Sequence, residues 1–184
     1  MTEAIRTPRL VLRPLCADDA EPLFALFNDW QVVRWLSTPP WPYTLDDAHT
    51  FIAGRLEGEA AERTFAVTLD GALIGCIDAR PLTPKYVEGA PPGPNLGYWI
   101  GRPFWGRGYM TEAAHAFLAH LFQSGAGDIV YSGALADNLP SLNIQEKLGF
   151  VRHVEGQHFF RPRNASLPHV FTRLERSRFE ALAP

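Results

Sequence analysis

Met110, Ala114, Phe117, Leu118 and Leu121 recur at helical spacing directly after the segment "GRPFWGRG", and this junction constrains the fold more than any other stretch of the chain. The helix it predicts ends near Gly125 and is apolar along one stripe, so it must lie against other structure. Strand-like segments flank it, "LGYWI" before the glycines and "DIVYSGA" after the helix.

The rest of the chain supplies more strands and helices around this unit. "RTFAVTL" and "ALIGCIDAR" flank Asp70-Gly71, the signature of a tight hairpin. "RLVLRPL" reads as a half-buried strand stopped by Pro14, with Asp18 or Asp19 capping a helix through about Asn28. The segment 29 to 43 is rich in aromatics and prolines and reads as irregular, and Thr44 with Asp47 forms a capping-box variant at the head of a second helix. Prolines and glycines from 81 to 95 predict a long loop. Downstream, "PSLNIQEKL" is a short helix closed by Gly149, and "FVRHVEG" and "HVFTRLER" are the last two strands. The order β, α, α, β, β, β, α, β, α, β, β predicts a mixed α/β (α+β) sheet with helices on its faces.

With 184 residues and 46% hydrophobic content, residues 1–184 suit a single domain with one well-buried core. A formal charge of -3 gives no global pull toward nucleic acid or an anionic membrane, so neither is expected as a partner. No apolar run approaches the roughly 20 residues of a membrane span, and a cytoplasmic location is expected. Cys16 and Cys76 form no CxxC and lie near no histidine pair at zinc spacing. They read as reduced, small core residues, with no metal expected.

In "FWGRGYMTEA", Gly106 and Gly108 let the backbone approach a ligand, and the following helix aims its unpaired N–H groups and positive dipole end at the same place. Such a junction holds a pyrophosphate, but glycine spacing alone fits a plain corner equally well. Two other phosphate loops fail: no Lys-Ser/Thr follows the glycines, and the third glycine of a dinucleotide fingerprint is missing.

"GYWIGRPFWGRGYMTEA" followed by "ADNLPSLNIQEKLGF" resembles the GNAT family of N-acetyltransferases, in the branch that contains the ribosomal-protein N-terminal acetyltransferases. "TPRLVLRPL" and the element order fit as well, so the resemblance covers most of the chain. It implies a mostly antiparallel sheet of six to seven strands with helices on both faces and a splayed central strand pair. It also implies acetyl-CoA as co-substrate and an amine as acceptor, either a protein N-terminus or a small molecule. The sequence leaves the oligomeric state open between a monomer and a homodimer.

Carried over by position, the family's pyrophosphate loop falls on Trp105 to Met110. The backbone amides of Gly106, Arg107, Gly108, Tyr109, Met110 and Thr111 would hold the coenzyme phosphates. Trp105 stands where the family has Gln or Arg, and Met110 where it has a small residue. Trp99 and Ile100 would offer main-chain groups to the pantetheine arm, while the Tyr98 and Trp99 side chains read as core aromatics. Asn138 matches an asparagine that bonds the coenzyme, and it also reads as a helix cap. The family's usual tyrosine acid is missing from "IQEKLGF", and Ser141 matches the serine that stands in for it in the ribosomal branch. For a general base, Glu155 and His158 lie near the position where that branch carries a glutamate. Asp78 and Asp137 read as solvated or turn residues, and Glu112 as a partner of the helix dipole. The alternative from another class is a non-catalytic acyl-CoA-binding sensor or interaction module.

Overall fold

The computed structural model describes residues 3–58, 63–82 and 90–182. The predicted hairpin forms at Asp70 and Gly71, whose φ values of 50° and 83° reverse the chain between β3 (Thr64–Leu69) and β4 (Ala72–Leu82). β2 (Leu10–Pro14) pairs with β3, and a two-residue β1 (Ile5–Arg6) pairs with β2. On the other side β4 pairs with β5 (Gly93–Ile100), and β6 (Ile129–Leu135), β7 (Val151–Phe160) and β8 (Ala165–Glu175) complete the sheet.

The order is β1-β2-β3-β4-β5-β6-β8-β7, with every pairing antiparallel except β5 with β6. This is the mixed, mostly antiparallel sheet expected, with eight strands rather than six or seven. The extra strand is β1, too short to show periodicity. The loop expected at 81 to 95 is shorter, because β4 and β5 stay in register as far as Pro81↔Pro94 and Leu82↔Gly93. The bond from the Gly101 N–H to the Ile74 carbonyl sets which pairs exchange hydrogen bonds, and Pro81↔Pro94 falls between two of them. The prolines therefore remove no bond between these strands. Residues 83–89 of that loop lie outside the described residues.

Helices cover both faces. α4 (Tyr109–Gln123) is the helix predicted from the apolar stripe, and it buries Phe117, Leu118 and Leu121 against Leu12, Phe65, Val67, Ile74 and Ile77. α6 (Arg176–Leu182), which the sequence reading gave to no element, closes this side with Phe179 packed on Phe122. The opposite face holds α1 (Ala20–Phe27), the one-turn α2 (Trp30–Val33) within the segment expected to be irregular, and α3 (Leu45–Ala53). α3 starts with the expected reciprocal Thr44–Asp47 cap. α5 (Leu139–Lys147) follows β6.

Two local expectations need correction. Asp19 makes no side-chain cap bond to α1; it is buried, takes both Arg13 nitrogens at 2.7 and 2.8 Å, and accepts from the Cys16 N–H. Cys76 is a buried core residue as expected, whereas Cys16 is exposed; both are free thiols.

Candidate active site

β5 and β6 share a single register pair, Asn95↔Tyr131, and beyond it the ladder stops. Ser132 Oγ donates to the Leu96 carbonyl at 3.0 Å in place of a main-chain bond. Leu96 therefore turns its main-chain groups toward β6, and by the two-residue period Tyr98 and Ile100 do the same. The main-chain groups of Trp99 face β4 instead, so the period separates Trp99 from Ile100, which the sequence reading set side by side. The Ile100 carbonyl is engaged by the Trp105 indole N–H at 2.7 Å. A cavity of about 1480 Å³ opens where the strands part, lined by β5, β6, the glycine loop, α5, β7 and the segment after α2.

The glycine loop forms one wall. Gly106 and Gly108 sit at φ 73° and 76°, a region that side chains disfavour, and Gly108 caps α4. The N–H groups of the first turn of α4, Tyr109 to Thr111, begin beside the cavity. Met110 is 4% exposed and belongs to the core under α4, and it also borders the cavity. Glu112 does more than face the helix dipole. Its carboxylate accepts from Thr7 Oγ1 at 2.6 Å, from the Arg9 N–H at 3.0 Å and from Arg9 Nε at 2.6 Å. Burial alone would push the Glu112 carboxyl up, but these bonds outweigh it and hold it below the usual range. Arg9 in turn donates to the Arg107 carbonyl at 3.0 Å and lies 4.6 Å from the Tyr109 ring centre. Carbonyl and N–H of one trans peptide point oppositely, so this bond turns the Gly108 N–H away from Arg9.

The second wall is the start of α5. Asn138 caps the helix, accepting from the Ser141 N–H at 3.4 Å, and both residues line the cavity. Ser141 Oγ lies 2.9 Å from the Tyr98 hydroxyl and 3.5 Å from Gln145 Nε2. Tyr98 is thus more than a core aromatic. Its ring packs on the core, but its hydroxyl reaches the cavity-lining serine, and burial pushes the phenol pKa up. The sequence carried no signal for this pairing, because it depends on where β5 stands relative to α5. Trp99 does pack as a core aromatic, edge-on to Phe27 at 4.7 Å.

β7 and β8 close the far side. Glu155 lines the cavity but is exposed and paired with Arg152 at 3.3 Å. His158 also lines it and is exposed like Glu155, with its ring 5.2 Å from His169 and 5.5 Å from Phe160. Partial burial holds the His158 pKa below its usual value. His169, which sequence reading missed within an alternating strand, is pushed down to about 4 by burial and by the neighbouring His158. Its ring lies over Gly133, where an added Cβ would come within 2.3 Å of it. Asp78 is not solvated: it pairs with Arg80 at 3.2 Å over Gly97, and burial raises its pKa despite that cation. Asp137 makes none of the contacts that join these groups. Among the described residues, no cluster of three or more His, Cys, Asp or Glu is placed to hold a metal ion, and no helix is long and apolar enough to cross a membrane.

Comparison with known proteins bears on the family and the fold. Residues 9–151 match the family model for the acetyltransferase (GNAT) domain. The chain is 24% identical over 152 residues to an uncharacterised N-acetyltransferase, p20, of Bacillus licheniformis, covering 80% of this chain and 82% of that protein. It is 25% identical over 158 residues to the ribosomal-protein-serine acetyltransferase of Escherichia coli, covering 82% and 84%. In three dimensions it shares the fold of RimL, a ribosomal α-N-protein acetyltransferase solved in complex with coenzyme A. That match has a TM-score of 0.78 at 15% identity and covers 94% of this chain and 98% of the other.

Proposed function

This chain belongs to the GNAT acetyltransferase family, and from that premise we propose that it transfers an acetyl group from acetyl-CoA directly to a primary amine, at a protein N-terminus or on a small molecule. The observation that carries this reading is the divergence of β5 from β6. It opens one cavity bounded by the N–H-rich start of α4 on one wall and by Ser141 on another. The fit to coenzyme A rests on the residues present. Gly106 and Gly108 leave the loop backbone without side chains at its closest approach, and the amides from Gly106 to Thr111 suit a pyrophosphate. Asn138 and the Ile100 N–H are assigned to the pantetheine arm.

The thioester supplies the activated acetyl group, so positioning and polarisation of its carbonyl carry most of the rate. The acceptor must be a neutral amine, and an α-amino group with a pKa near ~8 needs modest help. His158 is assigned to take its proton, directly or through a water. His169, at about 4, is too weak a base for that task and stays uncharged at neutral pH. Ser141 is assigned to the departing sulfur. Neither Cys16 nor Cys76 lines the cavity, which supports direct transfer over a cysteine-bound intermediate.

The test incubates the purified protein with acetyl-CoA and a panel of amines, including peptides with different first residues, and reads thiol release. Turnover on at least one amine is the expected result. Tight coenzyme binding without turnover on any amine would favour a non-catalytic acyl-CoA sensor instead.

A further inference from the structure

The role of Ser141 rests on the acetyltransferase reading above; the groups around it determine which way its single hydrogen points. Gln145 is 1% exposed, and its Oε1 accepts from Thr172 Oγ1, itself 3% exposed, at 2.7 Å. With its oxygen fixed by a hydroxyl donor, a planar amide must turn its NH₂ the other way. Gln145 therefore presents a donor to Ser141 Oγ at 3.5 Å and no acceptor. The Tyr98 hydroxyl lies 2.9 Å from the same oxygen, a contact in which either hydroxyl can donate, and 3.2 Å from the Ser141 carbonyl, which can only accept. A phenol whose pKa is raised by burial stays protonated and so has one hydrogen to give to one of these two oxygens. A serine oxygen has two acceptor lone pairs and one hydrogen. With Tyr98 as the donor in the 2.9 Å contact, both lone pairs face donors, which leaves the hydrogen for a group in the cavity.

We propose that Tyr98, Gln145 and Thr172 are positioning residues that make Ser141 a hydrogen-bond donor toward the cavity, and that this enforced polarity stabilises the thiolate as it leaves. As the amine nitrogen bonds to the acetyl carbon, the C–S bond breaks and its electron pair stays on sulfur. The Ser141 O–H donates to that sulfur, and the Tyr98 O–H and Gln145 N–H support the charge drawn onto Oγ. The amine proton leaves on the His158 side, so no further reactant is required.

The experiment compares wild type with Ser141→Ala, Tyr98→Phe, Gln145→Glu and the double variant S141A/Q145E in the full chain. It measures kcat by thiol release, coenzyme A affinity by calorimetry, and kcat for acetyl thioesters whose thiols differ in acidity. Tyr98→Phe is expected to lower kcat about tenfold with coenzyme affinity unchanged. A carboxylate at 145 accepts hydrogens from both Thr172 and Ser141 and so reverses the serine, so Gln145→Glu should lose as much as Ser141→Ala, and the double variant no more than either. Each loss should shrink when the leaving thiol is more acidic. Because Tyr98→Phe only removes a hydroxyl, it keeps the test decisive even if the buried carboxylate prevents folding. A higher kcat in Tyr98→Phe would mean that the serine hydrogen points at Tyr98, and would overturn the proposal. Unchanged kcat, or a loss insensitive to the leaving thiol, would overturn it as well. A wild type that releases no thiol with any amine overturns the acetyltransferase reading along with it, whereas an active wild type with unaffected variants overturns this proposal alone.

Discussion

Glu112→Gln tests whether the coenzyme loop is held in shape by the N-terminal segment rather than by its own glycines. The wild-type carboxylate, 18% exposed, accepts three hydrogen bonds from Thr7 and Arg9, and Arg9 passes the restraint on to the Arg107 carbonyl. Glutamine keeps the shape but loses the charge. Arg9 is 46% exposed, so the ion pair itself contributes only about 0.5–1 kcal/mol. Weakening the two other bonds from charge-assisted to neutral removes about 1 kcal/mol more, and loss of an anion from the first turn of α4 about 0.5 kcal/mol. The total of about 2 kcal/mol corresponds to a Tm lower by about 4–8 °C. Releasing the Arg107–Gly108 peptide returns roughly 1–2 kcal/mol of backbone entropy that coenzyme binding must then remove, so Kd for coenzyme A should rise about 5- to 30-fold. The sign with pH is fixed as well. The folded carboxyl is held below its usual range, so its stabilisation is complete above that range and disappears as pH falls through the folded value. Wild type and variant should converge in acid. Thermal unfolding at neutral and acid pH, with calorimetric titration of coenzyme A, measures all three effects. A variant that melts within about 1 °C of wild type and binds coenzyme A equally well would refute the lock.

Gly108→Val should reduce coenzyme A affinity at least about tenfold, because a β-branched residue is strained at φ 76° and its side chain meets the Arg9 guanidinium, 3.5 Å from an added Cβ; equal affinity by calorimetry would remove the loop from the site. His169 is held near 4 in the folded chain, so between about 6.5 and 4 the unfolded chain takes up a proton that the native chain does not. Stability should therefore fall as pH drops through that window, and His169→Gln should flatten the fall; parallel urea midpoints for the two proteins across it would count against the assignment.

Features set by neighbours in sequence were legible, and those set by neighbours in space were not. The Asp70-Gly71 hairpin, the Thr44–Asp47 cap and the stripe of α4 each depend on residues within about one or two turns of one another, and each forms as read. The glycine loop and the Asn138-Ser141 turn were found through their motif, and the structure puts them on two walls of one cavity. β1 escaped because two residues carry no period. The ends of β4 and β5 escaped because prolines signal a loop wherever their ladder position is unknown. Tyr98 and His169 were missed for a different reason. An aromatic or a histidine on an alternating strand looks the same whether it faces a core or a cavity, and only the splay of β5 from β6 separates the two cases.

The site divides its labour between main chain and side chains, and this explains which departures from the family pattern it tolerates. The loop is assigned to its ligand through amides, so Trp105 is free to vary, and here its indole ties the loop back to the end of β5. Met110 is buried in the core under α4, where its bulk is accommodated. The residues that fix the geometry lie outside the glycine motif or at its far edge: Thr7, Arg9 and Glu112 for the loop, Gln145 and Thr172 for the serine. Each works through a charge or a hydrogen-bond direction, and a substitution of equal volume does not reproduce either. Trp105→Gln should therefore cost less in coenzyme affinity than Glu112→Gln, although only the former lies within the glycine motif.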